Sequence, residues 1–378
     1  MSPSYPHLYL HVPFCGRRCS YCDFSIAVRR TVPVARYVDN VIRELVERRE
    51  KLSTSLKTIY LGGGTPSKLG GAGVADLLHR LREFAGVEDF STSPMEVTLE
   101  ANPEDISFEA VAAWRAAGVN RVSLGVQSFD PEVLRWMHRG HSPAEAETAV
   151  RRIREGGIGA ISLDLIFAIP DRVGAGRLAS DLERALQLEP THLSVYGLTV
   201  EPRTPLGRWT ARGATVEAPE ERYAEEFLLA HAQLTAAGFE HYEVSSYARP
   251  GHRAVHNAAY WSGAPYLGLG PSAHGFDGQV RRWNTAAYAE WSDQVDRGID
   301  PIGGSEVIGP AERLAEAVYL GLRTTDGLVR RAEDEDCIAS WIEAGWGRRV
   351  GDRLVLTPDG WLRLDALAAA LTSVRSRS

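Results

Sequence analysis

Three of the four cysteines, Cys15, Cys19 and Cys22, fall within eight positions of "CGRRCSYCDF". Thiolates at C-x3-C-x2-C spacing can wrap one metal cluster from a single loop, and three of them on a [4Fe–4S] cube leave one iron open to a small molecule. Zinc is the competing chemistry, with His11 or a distant histidine as fourth ligand, but structural zinc sites take a second cysteine knuckle that this chain lacks. A trio of unligated thiols is the bland alternative. A second motif, "LGGGTP" at 61–66, has three glycines that let backbone approach a ligand closely, without the Lys-Ser/Thr of a P-loop. A third, "HNAAYW" at 256–261, joins an imidazole to two flat aromatic rings. That combination suits a porphyrin, although a lone buried histidine among aromatics is ordinary core.

Something must position these groups, and strand–helix alternation from residue 7 to about 245 supplies it. Strands are expected at 8–12, 58–61, 95–100, 120–126, 160–167 and 191–198. Helices are expected at 33–50, 73–85, 107–117, within 130–155, and at 176–188 and 219–237. The first helix carries Val34, Tyr37, Val38, Val41, Ile42, Leu45 and Val46 on one stripe. Ser142, Pro143 and Glu145 form a capping box. The strands are rich in Val, Ile and Leu, as in a parallel sheet covered by helices. Six such units predict an α/β fold, an incomplete (β/α)6 barrel, with chemistry at the carboxyl ends of the strands. The cysteine loop, the glycine triplet and Glu100 all fall at such ends. The barrel is expected over 1–245. A loop-rich segment packed on it follows at 246–308, and a small, mostly helical, winged-helix-like domain at 309–378.

A net charge of −7 gives no basic footprint for nucleic acid. No apolar run is long enough for a transmembrane segment, nothing resembles a signal peptide, and so few cysteines do not make a disulfide framework. A cytoplasmic location follows as an expectation. Cys337 reads as a small buried hydrophobe, and the acidic run before it as a solvated face.

The cysteine spacing, with Tyr21 before the last thiol, is similar to the signature of radical S-adenosylmethionine enzymes. That resemblance implies a [4Fe–4S] cluster on Cys15, Cys19 and Cys22 whose open iron takes S-adenosylmethionine. It makes Tyr9, Gly63, Gly64, Thr65, Glu100, Gln127, Arg139 and Asp164 candidate contacts to that cofactor. "YLGGGTPS", "EANPE", "RVSLGVQSFD", "RGHS", "DLIFAIP", "YGLTVEPRTPL", "YEVSSYA" and "YLGLGPSAHG" further resemble the family of oxygen-independent coproporphyrinogen III dehydrogenase. Its decarboxylating branch has a further cysteine where this chain has Phe24. Its HemW-type haem-chaperone branch has phenylalanine there and the H-N-x-x-Y-W motif, as here. The resemblance thus implies haem as cargo near His256, Asn257, Tyr260 and Trp261, with acceptor proteins as partners. His256 is the preferred axial ligand, His274 the second candidate, and Arg281 and Arg282 are candidates for the propionates. It also allows a homodimer and peripheral contact with a membrane. The alternatives are the decarboxylating dehydrogenase, or a methyltransferase or cyclopropane-forming relative. Ala168 stands where the family usually has glycine.

Overall fold

The computed structural model describes residues 4–48, 51–52, 56–86, 90, 95–174 and 176–377. Six parallel strands run in chain order: β1 (His7–Val12), β2 (Thr58–Gly63), β3 (Glu96–Ala101), β4 (Arg121–Gln127), β5 (Ala160–Phe167) and β6 (His192–Gly197). Helices α1 (Val34–Glu47), α2 (Gly70–Ala85), α3 (Phe108–Ala116), α4 (Pro143–Glu155) and α5 (Leu178–Gln187) connect them, and α6 (Glu220–Ala236) follows β6. Each helix lies within a few residues of its expected position. The capping box forms as expected: Ser142 accepts from the Glu145 amide, and Glu145 reaches back to Ser142.

The strands alternate rather than being apolar throughout. Leu8, Leu10, Ile59, Leu61, Val97, Leu99, Val122, Leu124, Leu163, Leu165 and Leu193 are buried in the core that includes the helices. Their neighbours Tyr60, Thr98, Ser123, Ser162, Asp164, His192 and Ser194 line a small internal cavity of about 40 Å³. The period-2 pleat thus puts hydrocarbon under the helices and polar groups inside. The strand ends from β2 to β6 border one larger cavity, so the sheet curls, and among the described residues it does not close.

The stretch 246–308 is not loop-rich. After β7 (Glu240–Glu243), strand β8 (Ser246–Ala248) pairs antiparallel with β6. Helix α7 (Val255–Trp261) follows, and β9 (Leu267–Leu269) adds parallel to β1. The main sheet therefore runs β7-β8-β6-β5-β4-β3-β2-β1-β9 among the described residues. Beyond it, β10 (His274–Phe276), β11 (Val280–Asn284) and β12 (Ile302–Val307) form an antiparallel sheet, with α8 (Tyr288–Asp296) between the last two. Short strands among glycines and aromatics leave no long periodic stretch to read. Buried Glu44 of α1 fastens this region, accepting from the Gly270 amide, Asn284 and the Trp291 indole.

The last part comprises α9 (Pro310–Arg323), β13 (Leu328–Val329), α10 (Glu335–Glu343), β14 (Gly347–Val350), β15 (Arg353–Leu356) and α11 (Leu364–Arg375). Its three strands form one sheet ordered β13-β15-β14. Arg323 pairs with buried Glu243 at 2.8 Å, and Trp361 donates to the Leu322 carbonyl and lies edge-on to His241. No helix among the described residues is long and apolar enough to cross a membrane.

Candidate functional site

The loop after β1 carries the three cysteines into a cavity of about 500 Å³ at the carboxyl ends of the strands. Cys15, Cys19, Cys22, Gly63, Gly64, Thr65, Glu100, Gln127, Arg139 and Asp164 all line it. Phe24 stands at its mouth with 58% of its surface exposed. Tyr9, the remaining expected contact, does not reach the wall. Its ring stacks on Tyr60 inside the barrel and its hydroxyl meets His11 Nδ1 at 3.1 Å.

The Cys15 thiol is 3.2 Å from Thr65 Oγ1, and Arg139 Nη1 is 3.5 Å from Cys19 Sγ. Burial pushes the Cys15 thiol up and the Cys22 thiol up to about 11, so a cation's field is what would hold them as thiolates. His11 is not turned toward them: Nε2 meets the Ser25 carbonyl, Nδ1 meets Tyr9, and burial lowers its pKa to about 4. Among the described residues no three His, Cys, Asp or Glu side chains converge as the shell of one metal ion. All three thiols nevertheless line the one cavity.

The glycine turn is tight for reasons inside the protein. A Cβ on Gly63, whose φ is +110°, would fall 2.6 Å from the His11 ring, and one on Gly64 would fall 2.7 Å from the Pro13 backbone. The triplet therefore brings the end of β2 against the cysteine loop. The Gly63 amide donates to Glu100 Oε2 at 3.0 Å and the Tyr60 hydroxyl to Oε1 at 2.7 Å. Burial raises the Glu100 carboxyl to about 7 and Asp164 to about 6, the latter despite two 3.0 Å contacts from Ser123 Oγ.

Arg139 follows the short helix Pro131–Trp136 and turns inward. Nη2 donates to Gly125 O at 2.5 Å and Asn102 Oδ1 at 2.7 Å, while the buried Nε has no partner among the described residues. That orphan donor, the thiols and the acidic pair suit a ligand with carboxylate, ammonium and hydroxyl groups. Asn102, which also donates to Thr65 Oγ1 at 3.3 Å, and Ser123 were not singled out from sequence. "EANPE" pointed at the first; the alternation of β4 would have found the second.

The "HNAAYW" group lies at the opposite end of the strands. The Val255 and His256 amides donate to Glu96 at the start of β3, at 3.0 and 2.9 Å. His256 is fully buried. Its Nδ1 lies 2.6 Å from Thr58 Oγ1, its Nε2 lies 2.8 Å from the Tyr260 hydroxyl, and its ring stacks on Tyr60. Burial lowers its pKa to about 3. These are the surroundings of a satisfied core histidine, and iron reaches Nε2 only if Tyr260 moves. Asn257 points to the small internal cavity, while Tyr260 and Trp261 face an outer groove. His274 is exposed and stacked on Trp283. Arg281 is paired with Glu306 and Glu316, and Arg282 with Asp300.

The radical SAM superfamily is matched over residues 9–173, which take in the cysteine loop and strands β2 to β5 of the curled parallel sheet. The chain belongs to the family of the haem chaperone HemW. It is 38% identical to the HemW of Mycobacterium tuberculosis (strain H37Rv), over 96% of this chain and 94% of that one. It is 34% identical to the HemW of Bacillus subtilis, over 85% and 84%. Among solved structures, the coproporphyrinogen III oxidase HemN of Escherichia coli, described as a radical SAM enzyme, superposes with a TM-score of 0.78. That match covers 98% of this chain and 91% of the other at 23% identity, a likeness of fold.

Proposed function

We propose that this chain carries haem and hands it to haem-requiring acceptor proteins, while holding a [4Fe–4S] cluster on Cys15, Cys19 and Cys22 with S-adenosylmethionine beside it. One observation carries the reading: the match at 38% identity over 96% of the chain to a protein named as a haem chaperone. The residues fit the cofactors. Arg139 offers a cation to a carboxylate, and Gly63, Gly64 and Thr65 line the same cavity. Glu100, Gln127 and Asp164 offer polar partners to an ammonium or a ribose diol. A bound cluster supplies one-electron chemistry at S-adenosylmethionine. Cytoplasmic residence, a homodimer and peripheral membrane contact belong to the same reading.

Phe24 disfavours the decarboxylating dehydrogenase, since an exposed phenyl ring stands where that branch places a thiol. The test is an anaerobic haem titration of the cluster-loaded chain, followed at the Soret band, beside an assay with coproporphyrinogen III. Stoichiometric haem binding without turnover is expected. Turnover without haem binding would overturn the carrier reading.

A further inference from the structure

Where Trp261 ends α7, its indole stands between two lobes of one trough running under α9. The first lobe, of about 960 Å³, is walled by Tyr260, Tyr266, Tyr319 and Leu320, with Ala368 and Ala369 of α11 opposite. The second, of about 980 Å³, shares Trp261, Phe276 and Leu320 with the first and is ringed by five arginines against two carboxylates, Glu316 and Asp326. Three of the five have acidic partners: Arg253 with Glu240 and Asp326, Arg331 with Glu333, and Arg375 with Asp334. Arg313 and Arg353 do not. Among the described residues they donate only to backbone carbonyls, of Gly278 and Ile308, and of Asp326 and Gly327. In the first lobe Glu316 is neutralised by Arg281, and the other carboxylate, Asp365, is exposed to solvent. Trp261 Nε1 is buried with no hydrogen-bond partner among the described residues, and the Arg323 guanidinium lies 4.1 Å from the centre of its ring.

We propose that the haem cargo lies in this trough, with its macrocycle in the aromatic lobe and its propionates toward Arg313 and Arg353. The inference rests on the haem-carrier reading and gives that reading a place. Haem is flat and apolar over most of its area, with two carboxylates on one edge. The trough has the same division, an apolar slot opening onto uncompensated guanidinium charge, and each lobe is in the size range of small-molecule sites. His256 is adjacent but sealed behind Tyr260, so the site holds the ring by its faces and its acids. Helix α7 thereby joins the barrel floor, through His256, to the cargo wall, through Tyr260 and Trp261.

The experiment is the Soret titration of the full, cluster-loaded chain with haem and with haem dimethyl ester, whose propionates carry no charge. It compares wild type with Arg313→Ala/Arg353→Ala and with Ala369→Trp. All three positions are exposed, so the fold should tolerate the changes, and a thermal melt of each variant checks that. The arginine variant should bind haem at least tenfold more weakly and the ester as wild type does. Ala369→Trp, which fills the slot, should weaken both. Wild-type binding that neither variant alters would overturn the site and leave the carrier reading standing. Absence of binding by wild type would overturn the carrier reading, and the site with it. An arginine effect equal for haem and ester would overturn the propionate assignment.

Discussion

His256 Nε2 and the Tyr260 hydroxyl lie 2.8 Å apart, one helical turn from each other on α7. With Thr58 on the other nitrogen, the imidazole is held neutral, and burial keeps its pKa near 3. The ordinary value is 6.5, so between about pH 6 and 4 the unfolded chain binds a proton here that the folded chain refuses. Stability should fall by about 1.4 kcal/mol per pH unit from this residue alone as the solution is acidified. His256→Gln, which keeps hydrogen-bonding capacity, should flatten the pH dependence of urea denaturation by about that slope. His256→Ala should cost about 3 kcal/mol at neutral pH, because it opens a cavity and strands two hydroxyls.

Glu100 titrates with the opposite sign. Burial raises its carboxyl to about 7 from an ordinary 4.5. Folded and unfolded chains are both protonated below about pH 4.5. Above it the unfolded chain ionises first, and the fold loses stability until about pH 7. Glu100→Gln should therefore change little at pH 4.5 and raise stability by about 2 kcal/mol at pH 8, once one lost acceptor is allowed for. Thermal melts of both proteins at the two pH values check this.

The barrel was legible because each βα unit announces itself locally: a stripe on α1, a capping box on α4, apolar residues in each strand. The cysteine loop and the glycine turn were legible because sequence neighbours make them. The barrel interior was harder. Ser123, Asn102 and Asp164 come together only when β3, β4 and β5 align, and the strands read as apolar although every second residue turns inward. The region after 245 is hard to read because β9 is held in place by pairing with β1, some 260 residues away in sequence, which no local pattern encodes. His256 illustrates the remaining ambiguity. The motif fixed the residue, while its partners Thr58, Tyr60 and Glu96 all come from distant strands.

Ala168 has φ +59° at the end of β5, in the left-handed region, and its amide donates to Glu226. An L-residue pays roughly 1–2 kcal/mol for this conformation, a penalty that glycine avoids. Ala168→Gly should be neutral to stabilising by up to about 1 kcal/mol, the relief being offset by lost methyl burial and greater chain entropy. Ala168→Val, β-branched at positive φ and buried, should cost at least about 2 kcal/mol. Urea denaturation of the three proteins at one pH ranks them.

Cys15, Cys19 and Cys22 share the cavity wall, whereas Cys337 sits half-buried on α10 in the last part of the chain. Replacing any one of the first three by serine should remove most of the iron and sulfide taken up on anaerobic reconstitution. Cys337→Ser should match wild type. Iron per chain and the visible absorbance of the cluster report the difference.

Substitution of Arg139 should separate cluster binding from cofactor binding. Its guanidinium spans Gly125 O and Asn102 Oδ1 and approaches Cys19, a set of directions that a single ammonium cannot match. The backbone of the cysteine loop has ties of its own, Ser20 to the Met137 carbonyl and Cys22 to the Cys19 carbonyl through their amides. Arg139→Lys should thus keep the iron content of wild type and lose at least tenfold in S-adenosylmethionine affinity, measured by anaerobic equilibrium binding to the reconstituted protein. A parallel fall in iron would instead mean that Arg139 acts through Cys19, holding the loop rather than the cofactor.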